Sequence, residues 1–261
     1  MKTGTANLRR SKILDLLAIE GEVLVEDLAD RFDVSAMTIR RDLDMLEQGN
    51  KLARTHGGAI YSKRSVAEFA FLERNRTFLQ EKQAIAREVS HGIVKPGMTI
   101  ILDTGTTSLE VARAIQQMED IKVLTSSLAI ASVLQMRDNV ELVLLGGNVR
   151  KNSPDLTGPL TEENLRQFRV ALAILGADAV DHRGLYTADM SVAQVSRAMI
   201  ASADSTVLVA DSSKFGRSSF VKYADWKSIQ HVVTDRGLSK AGLRWLKRAV
   251  PDVRCVKPEG T

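Results

Sequence analysis

Apolar positions recur at helical spacing three times within the first fifty residues. Ile13, Leu14, Leu16 and Leu17 give one apolar face to a helix over 8–17. Leu28, Ala29 and Phe32 do the same for Val25–Phe32. Asp33-Val34-Ser35 then reads as a tight turn, and the Ser35 hydroxyl is a good N-cap because it can accept from the free amides of the turn that follows. The third helix runs over Ala36–Gln48, with Ile39, Leu43 and Leu46 at spacings of four and three as its buried stripe. Beyond it, 52–55 and 59–61 read as the strands of a hairpin, with Gly57-Gly58 as a fitting turn.

The pattern changes twice more. Residues 63–80 are polar and basic but carry Phe69, Phe71, Leu72 and Phe78, which suits a hinge that partly packs or helps two copies pair. From 81 onward, short apolar runs alternate with amphipathic stretches. The runs at 99–103, 122–126, 141–145, 170–175, 206–210 and 231–234 read as buried strands, and helical patterns such as 109–117 and 192–203 fall between them. Strand-helix-strand repetition predicts a parallel, doubly wound α/β sheet. The expected organisation is an N-terminal winged helix-turn-helix over 1–62, a hinge over 63–80 and a second domain over 81–261.

Composition narrows the class. The 261 residues are 44% hydrophobic and 26% charged, ordinary for a globular chain able to bury its own core. The single Cys255 makes no intramolecular disulfide and no cysteine-based zinc site. His56, His91, His182 and His231 are too dispersed for a metal motif, so neither metal nor cofactor is expected. No run of about 18 apolar residues and no apolar signal core is present, so the chain is expected in the cytoplasm, off the membrane. The net charge of +4 matters less than its distribution. Lys2, Arg9, Arg10 and Lys12 precede an acidic stretch with seven acids over 13–35, and six bases follow over 36–64. Such segregation suits a small domain with one face toward phosphates.

Candidate chemistry sits at two places. Ile39, Leu43 and Leu46 turn inward, which leaves Ala36, Met37, Thr38, Arg40, Arg41 and Asp44 outward or sideways on the third helix. A major groove admits one helix, and arginine can donate two bonds to guanine. Arg54 and His56, near the hairpin tip, make a wing able to touch phosphate or the minor groove. The partner this predicts is double-stranded operator DNA, bound by a homo-oligomer (dimer or tetramer), because one helix reads too few base pairs. An interaction scaffold without DNA binding is disfavoured by Arg40, Arg41 and Arg54.

The second place is the run Asp103-Thr104-Gly105-Thr106-Thr107-Ser108, where a strand ends in a glycine- and hydroxyl-rich turn that opens a helix. Free amides at a helix N-terminus attract anions, and hydroxyls add donors. Other strand ends carry Thr125-Ser126-Ser127, Gly146-Gly147 with Arg150, Gly176-Ala177-Asp178, and Asp211-Ser212-Ser213-Lys214. Their convergence on one crevice predicts a ligand site.

Arg9-xxx-Ile13-xxx-Leu17, then Ser35-xx-Thr38-Ile39-Arg40-Arg41-Asp42-Leu43 and the wing His56-Gly57-Gly58-Ala59, resembles the signature of the DeoR (glycerol-3-phosphate regulator-like) family of bacterial transcriptional regulators. The resemblance extends over essentially the whole chain. It implies that Ser35, Thr38, Arg40 and Arg41 lie at the DNA surface, while Asp42 orients a neighbouring arginine. It implies a second domain resembling ribose-5-phosphate isomerase, with a phosphorylated sugar or polyol as effector and repression relieved by that ligand. Asp103 to Ser108 would then hold the phosphate, Asp178 the sugar hydroxyls, and Lys214 the phosphate or a carbonyl oxygen. The competing reading is a sugar-phosphate isomerase with an added DNA-binding domain, using Asp103 or Asp178 as the base. Against it, Val192 and Ser196 stand where many relatives carry a glutamate and a lysine, a departure that also bears on which effector is read.

Overall fold

The computed structural model describes residues 2–49, 51–60, 71, 73–151 and 153–258. The chain forms two compact units whose sequence boundary falls between Glu73 and Arg74.

The first unit holds α1 (Lys2–Glu20), β1 (Glu22–Leu24), α2 (Val25–Phe32), α3 (Ala36–Gln48), β2 (Ala53–Arg54) and β3 (Gly58–Ile60). The apolar stripes meet in one core of Ile13, Leu17, Val23, Val25, Leu28, Ile39, Leu43, Leu46, Leu52 and Ala59. Asp33 ends α2 in the left-handed region at φ 50°, with its amide returning to Ala29 and Asp30 carbonyls. Ser35 then starts α3, its Oγ accepting from Thr38 N at 3.2 Å. The hairpin departs from the sequence expectation in two ways. Its turn is Thr55–Gly57, closed by Thr55 N to Gly58 O at 3.1 Å, and Gly58 belongs to β3. A third strand, β1, pairs antiparallel with β3. That pairing explains Gly58: a Cβ there would lie 1.9 Å from the Val23 carbonyl oxygen.

The second unit is larger. It contains α4 (Leu79–Gly92), β4 (Thr99–Leu102), α5 (Thr106–Ile115), β5 (Ile121–Thr125), α6 (Leu128–Leu134), β6 (Val140–Leu144), β7 (Asn148–Val149), β8 (Leu156–Thr157) and α7 (Pro159–Arg166). Then follow β9 (Val170–Leu175), β10 (Ala179–Asp181), β11 (Gly184–Thr187), α8 (Met190–Ala201), β12 (Ala203–Val209), β13 (Val221–Ala224), β14 (His231–Asp235), α9 (Lys240–Ala249) and β15 (Asp252–Val256). Seven of these strands form one sheet in the order β15-β14-β12-β9-β4-β5-β6, every pair parallel. Central strands read as near-continuous apolar runs because both faces are covered; all of β9 but Ala171 is buried. The six expected strands are present, their ends shifted by at most three residues. The half-buried edge strand β15, the small antiparallel sheet β10-β11-β13 and the β7–β8 pair were not expected.

Strand order positions the site. The chain builds β4, β5 and β6 outward in one direction. It then returns to the other side of β4 with β9 and continues through β12, β14 and β15. The order therefore reverses between β4 and β9, and in open parallel sheets the crevice beyond the C-terminal strand ends at such a point is where ligands bind. Of the expected hinge, residues 63–70 and 72 lie outside the described residues; 73–76 are helical and α4 begins at Leu79.

Candidate functional site

In the first unit, α3 presents a face of two kinds. Asp42 is buried, and its carboxylate accepts from Arg9 Nε at 2.6 Å and Arg10 Nε at 2.8 Å. It therefore orients arginines of α1 rather than Arg40 or Arg41, and locks α1 against α3. The Ser35 and Thr38 hydroxyls bond each other at 2.9 Å, so both serve the helix start. Met37, Arg40 and Arg41 are exposed, and neither guanidinium has a partner among the described residues. Arg54 is not at the hairpin tip. It lies in β2, with Nη1 donating to Asp44 Oδ1 at 2.7 Å and to the Arg40 carbonyl at 3.2 Å, while Glu47 Oε1 accepts from its amide at 3.0 Å. His56 is exposed in the turn.

In the second unit, Asp103 follows β4 and marks the reversal point. Its Oδ2 accepts from Gly176 N, just beyond β9, at 3.1 Å, and its Oδ1 from Thr104 N at 2.7 Å. Burial pushes the Asp103 carboxyl up to about 7, against the lowering effect of those two amides; Asp155 and Asp178 add to the rise. Tyr223 Oη donates to the Gly176 carbonyl, so both backbone groups of Gly176 are held by side chains.

Beside Asp103, Gly105 takes φ +117° and opens α5, whose first turn has no side-chain cap. Thr106, Thr107 and Ser108 therefore bring amides and hydroxyls to a helix N-terminus with its partial positive charge. The Ser108 and Ser126 hydroxyls are buried with no partner among the described residues, which is costly unless a polar group meets them. Thr125 is different: its hydroxyl donates to the Leu102 carbonyl at 2.8 Å and accepts from Ser127 N, so it ties β5 to β4.

Asp155 and Asp178 lie close enough to Asp103 to act on its carboxyl, and the other predicted residues have distinct local roles. Gly147, at φ +151°, is demanded by packing, since a Cβ would lie 2.0 Å from Thr161 Oγ1. Arg150 is not a solvated loop cation; it grips buried Asp155 at 2.5 and 2.6 Å and reaches Asp189 at 3.4 Å. Exposed Asp178 accepts from Ala188 N at 2.8 Å and Thr187 Oγ1 at 3.0 Å, which fixes its carboxylate after β9. Lys214 is half-buried in the short 3-10 turn Ser212–Lys214. Before it, Asp211 is buried with one carboxylate oxygen unpartnered among the described residues.

One residue was missed from the sequence. Lys82, on α4, is buried; desolvation lowers its ammonium to about 8, and it faces Asp211, Lys214, Glu110 and Arg74. Its signal was available: a lysine three positions before Ile85 and seven before Val89 sits on that helix's apolar face. The loops beyond the strand ends thus carry carboxylates, which can accept from hydroxyls, and free amides and ammonium groups, which can attract an anion. Among the described residues no cluster of metal-binding side chains is present, and no helix is long and apolar enough to cross a membrane.

Comparison with known proteins agrees with this division. Residues 9–65 match the DeoR-like helix-turn-helix domain, and residues 77–236 match the DeoR C terminal sensor domain. The chain is 34% identical to the glycerol-3-phosphate regulon repressor of Escherichia coli (strain K12), over 87% of this chain and 90% of that protein. It is 33% identical to a putative aga operon transcriptional repressor of Escherichia coli O157:H7, over 96% and 94%. It is 32% identical to the lactose phosphotransferase system repressor of Lactococcus lactis, over 88% and 91%. Among solved structures, ribose 5-phosphate isomerase A of Methanocaldococcus jannaschii aligns over 53% of this chain and 55% of that one, at 20% identity and a TM-score of 0.39, too distant to bear on function. Helix-turn-helix, parallel-sheet sensor and whole-length relatives agree: this chain belongs to the DeoR family of transcriptional regulators.

Proposed function

We propose that this chain represses genes of carbohydrate metabolism from the cytoplasm, and that a phosphorylated sugar or polyol in the sensor crevice sets its affinity for double-stranded operator DNA. The assignment divides the chain into a DNA-binding winged helix-turn-helix over 1–62, a connecting segment over 63–80 and a sensor over 81–261. One observation carries the ligand class. Asp103, whose two carboxylate oxygens accept from Thr104 N and Gly176 N, fixes the loop at the β4/β9 reversal directly before the uncapped first turn of α5, a seat for phosphate. On this reading Thr104, Gly105, Thr106, Thr107 and Ser108 hold the phosphate with help from Lys214, Asp178 binds hydroxyls, and Thr125, Ser126, Gly147 and Arg150 shape the walls. Arg40 and Arg41 contact the operator with Met37, Thr38 and Ser35, and Arg54 and His56 flank them.

The ligand binds one conformation of the sensor better than another and so shifts the DNA-binding equilibrium of a dimer or tetramer. A thermal-shift panel of sugar and polyol phosphates beside their unphosphorylated counterparts tests this, because a ligand that binds only the native state raises Tm. Shifts limited to phosphorylated compounds, and lost in Thr106→Ala with Thr107→Ala, are the expected result. Equal shifts with unphosphorylated sugars would overturn the phosphate seat.

The isomerase reading has one observation in its favour, an Asp103 carboxyl near 7, suited to a general base. Its backbone bonds and burial serve the crevice equally well without catalysis, and the three repressors matched over most of their length support regulation. Turnover of ribose 5-phosphate that disappears in Asp103→Asn would reverse that choice.

A further inference from the structure

The exposed face of α3 carries an apolar side chain that the fold does not use. Ile39, Asp42, Leu43 and Leu46 turn inward. The Thr38 hydroxyl is bonded to Ser35, and Arg54 lies across the flank made by the Arg40 carbonyl and Asp44. Beside exposed Arg40 runs the exposed line Met37, Arg41, Met45, spaced four and four along the helix. Met37 is 56% exposed in the first turn, where recognition helices approach base edges. An apolar side chain so placed adds little to the core, and its charged neighbours Arg40 and Arg41 draw DNA to this face.

Major grooves offer one apolar feature, the C5 methyl of thymine, and one preferred arginine target, the O6/N7 edge of guanine. Four residues of helix advance about 6 Å, a little under two base-pair steps of about 3.4 Å each. We propose that Met37 is a specificity-determining residue that reads a thymine methyl within two base pairs of a guanine read by Arg41, once in each half-site. The inference rests on the DNA-binding reading of α3 and adds to it the chemistry of the half-site.

The test begins with selection of duplexes from a randomised pool by the full chain. Each thymine of the enriched duplex is then replaced by deoxyuridine, which removes only the methyl. Wild type should lose roughly four-fold in affinity at one thymine per half-site, the worth of one buried methyl. That penalty should vanish in Met37→Ala and persist in part in Met37→Leu. Substitution of 7-deazaguanine, which lacks N7, should weaken wild type but not Arg41→Ala at a guanine no more than two base pairs away. A flat uridine scan in wild type, or a penalty unchanged in Met37→Ala, overturns the proposal. So does a Met37→Ala chain whose oligomeric state changes while its scan does not, which would assign the methionine line to a second copy. Failure to enrich any sequence would strike the DNA-binding reading itself, and is thereby distinct.

Discussion

Lys82 Nζ donates to the carbonyl oxygen of Thr77 at 2.7 Å and also to that of Arg74, so a buried ammonium on α4 grips the chain just before its own helix. Arg74 lies within the helical stretch 73–76 and Thr77 just after it, and Phe78 follows in the left-handed region at φ 54°. The same ammonium faces Asp211 and Lys214 at the crevice. Replacing it with methionine removes the donor that both carbonyls share, on residues that are themselves exposed, a loss of about 1 kcal/mol. Lys82→Met is expected to lower the Tm of the second unit and to speed tryptic cleavage after Arg74 and Arg76. Unchanged melting and cleavage would show that the grip contributes nothing.

Asp103 makes stability depend on pH with a defined sign. Its carboxyl is raised from 3.8 to about 7 in the folded chain, so the folded state binds the proton that the unfolded state has released. Stability from this group is present below about pH 4 and is lost as pH rises to about 7. A shift of this size amounts to about 4 kcal/mol across that window. Asp103→Asn is therefore expected to flatten the fall in Tm between pH 5 and pH 7.5. A wild-type slope retained in the variant would assign the titration elsewhere.

Gly58 should tolerate no side chain. The Val23 carbonyl occupies the space of its Cβ, and moving it means breaking the β1–β3 pairing. Gly58→Ala is expected to destabilise the first unit by more than about 1 kcal/mol, in the range of overpacking. Circular dichroism melts would read it, with DNA affinity falling in parallel. An alanine variant as stable as wild type would show that β1 shifts freely.

Asp42 and Arg41, neighbours in sequence, should fail differently. Removing the Asp42 carboxylate leaves Arg9 and Arg10 without their shared acceptor; with both arginines part-exposed, the cost falls below the about 3–5 kcal/mol of a fully buried pair. Asp42→Asn is expected to lose DNA binding together with the cooperative melt of the first unit. Arg41→Ala should melt like wild type and lose DNA affinity alone. Titration of both variants against the selected duplex, with a melt of each, separates fold from contact; a folded, non-binding Asp42→Asn would overturn the assignment.

Much of the architecture was legible because local rules and tertiary packing asked for the same thing. α2 and α3 have the limits their apolar periodicity and the Ser35 cap implied, and β9 matches its apolar run because both its faces are buried. The glycine- and hydroxyl-rich turn after β4 was visible as a potential anion seat, since a strand end, a glycine and helix-start amides are all local. The short strands β1, β7, β8 and β10 were not visible. Runs of two or three residues carry no period, and the partner across the ladder defines them.

By itself the sequence determined the limits of α2 and α3, the six apolar strands of the main sheet, the exposed arginines of α3 and the polar residues that follow those strands. Those follow from side-chain periodicity, capping and turn chemistry, which act over a few residues. Only the tertiary structure decided that β4 and β9 lie side by side, that Asp42 holds Arg9 and Arg10, that Arg54 folds back on Asp44, and that a lysine on α4 is buried facing Asp211. Each is a contact across ten to over a hundred residues. Burial and strand order set such contacts, and neither is written in any one stretch of chain.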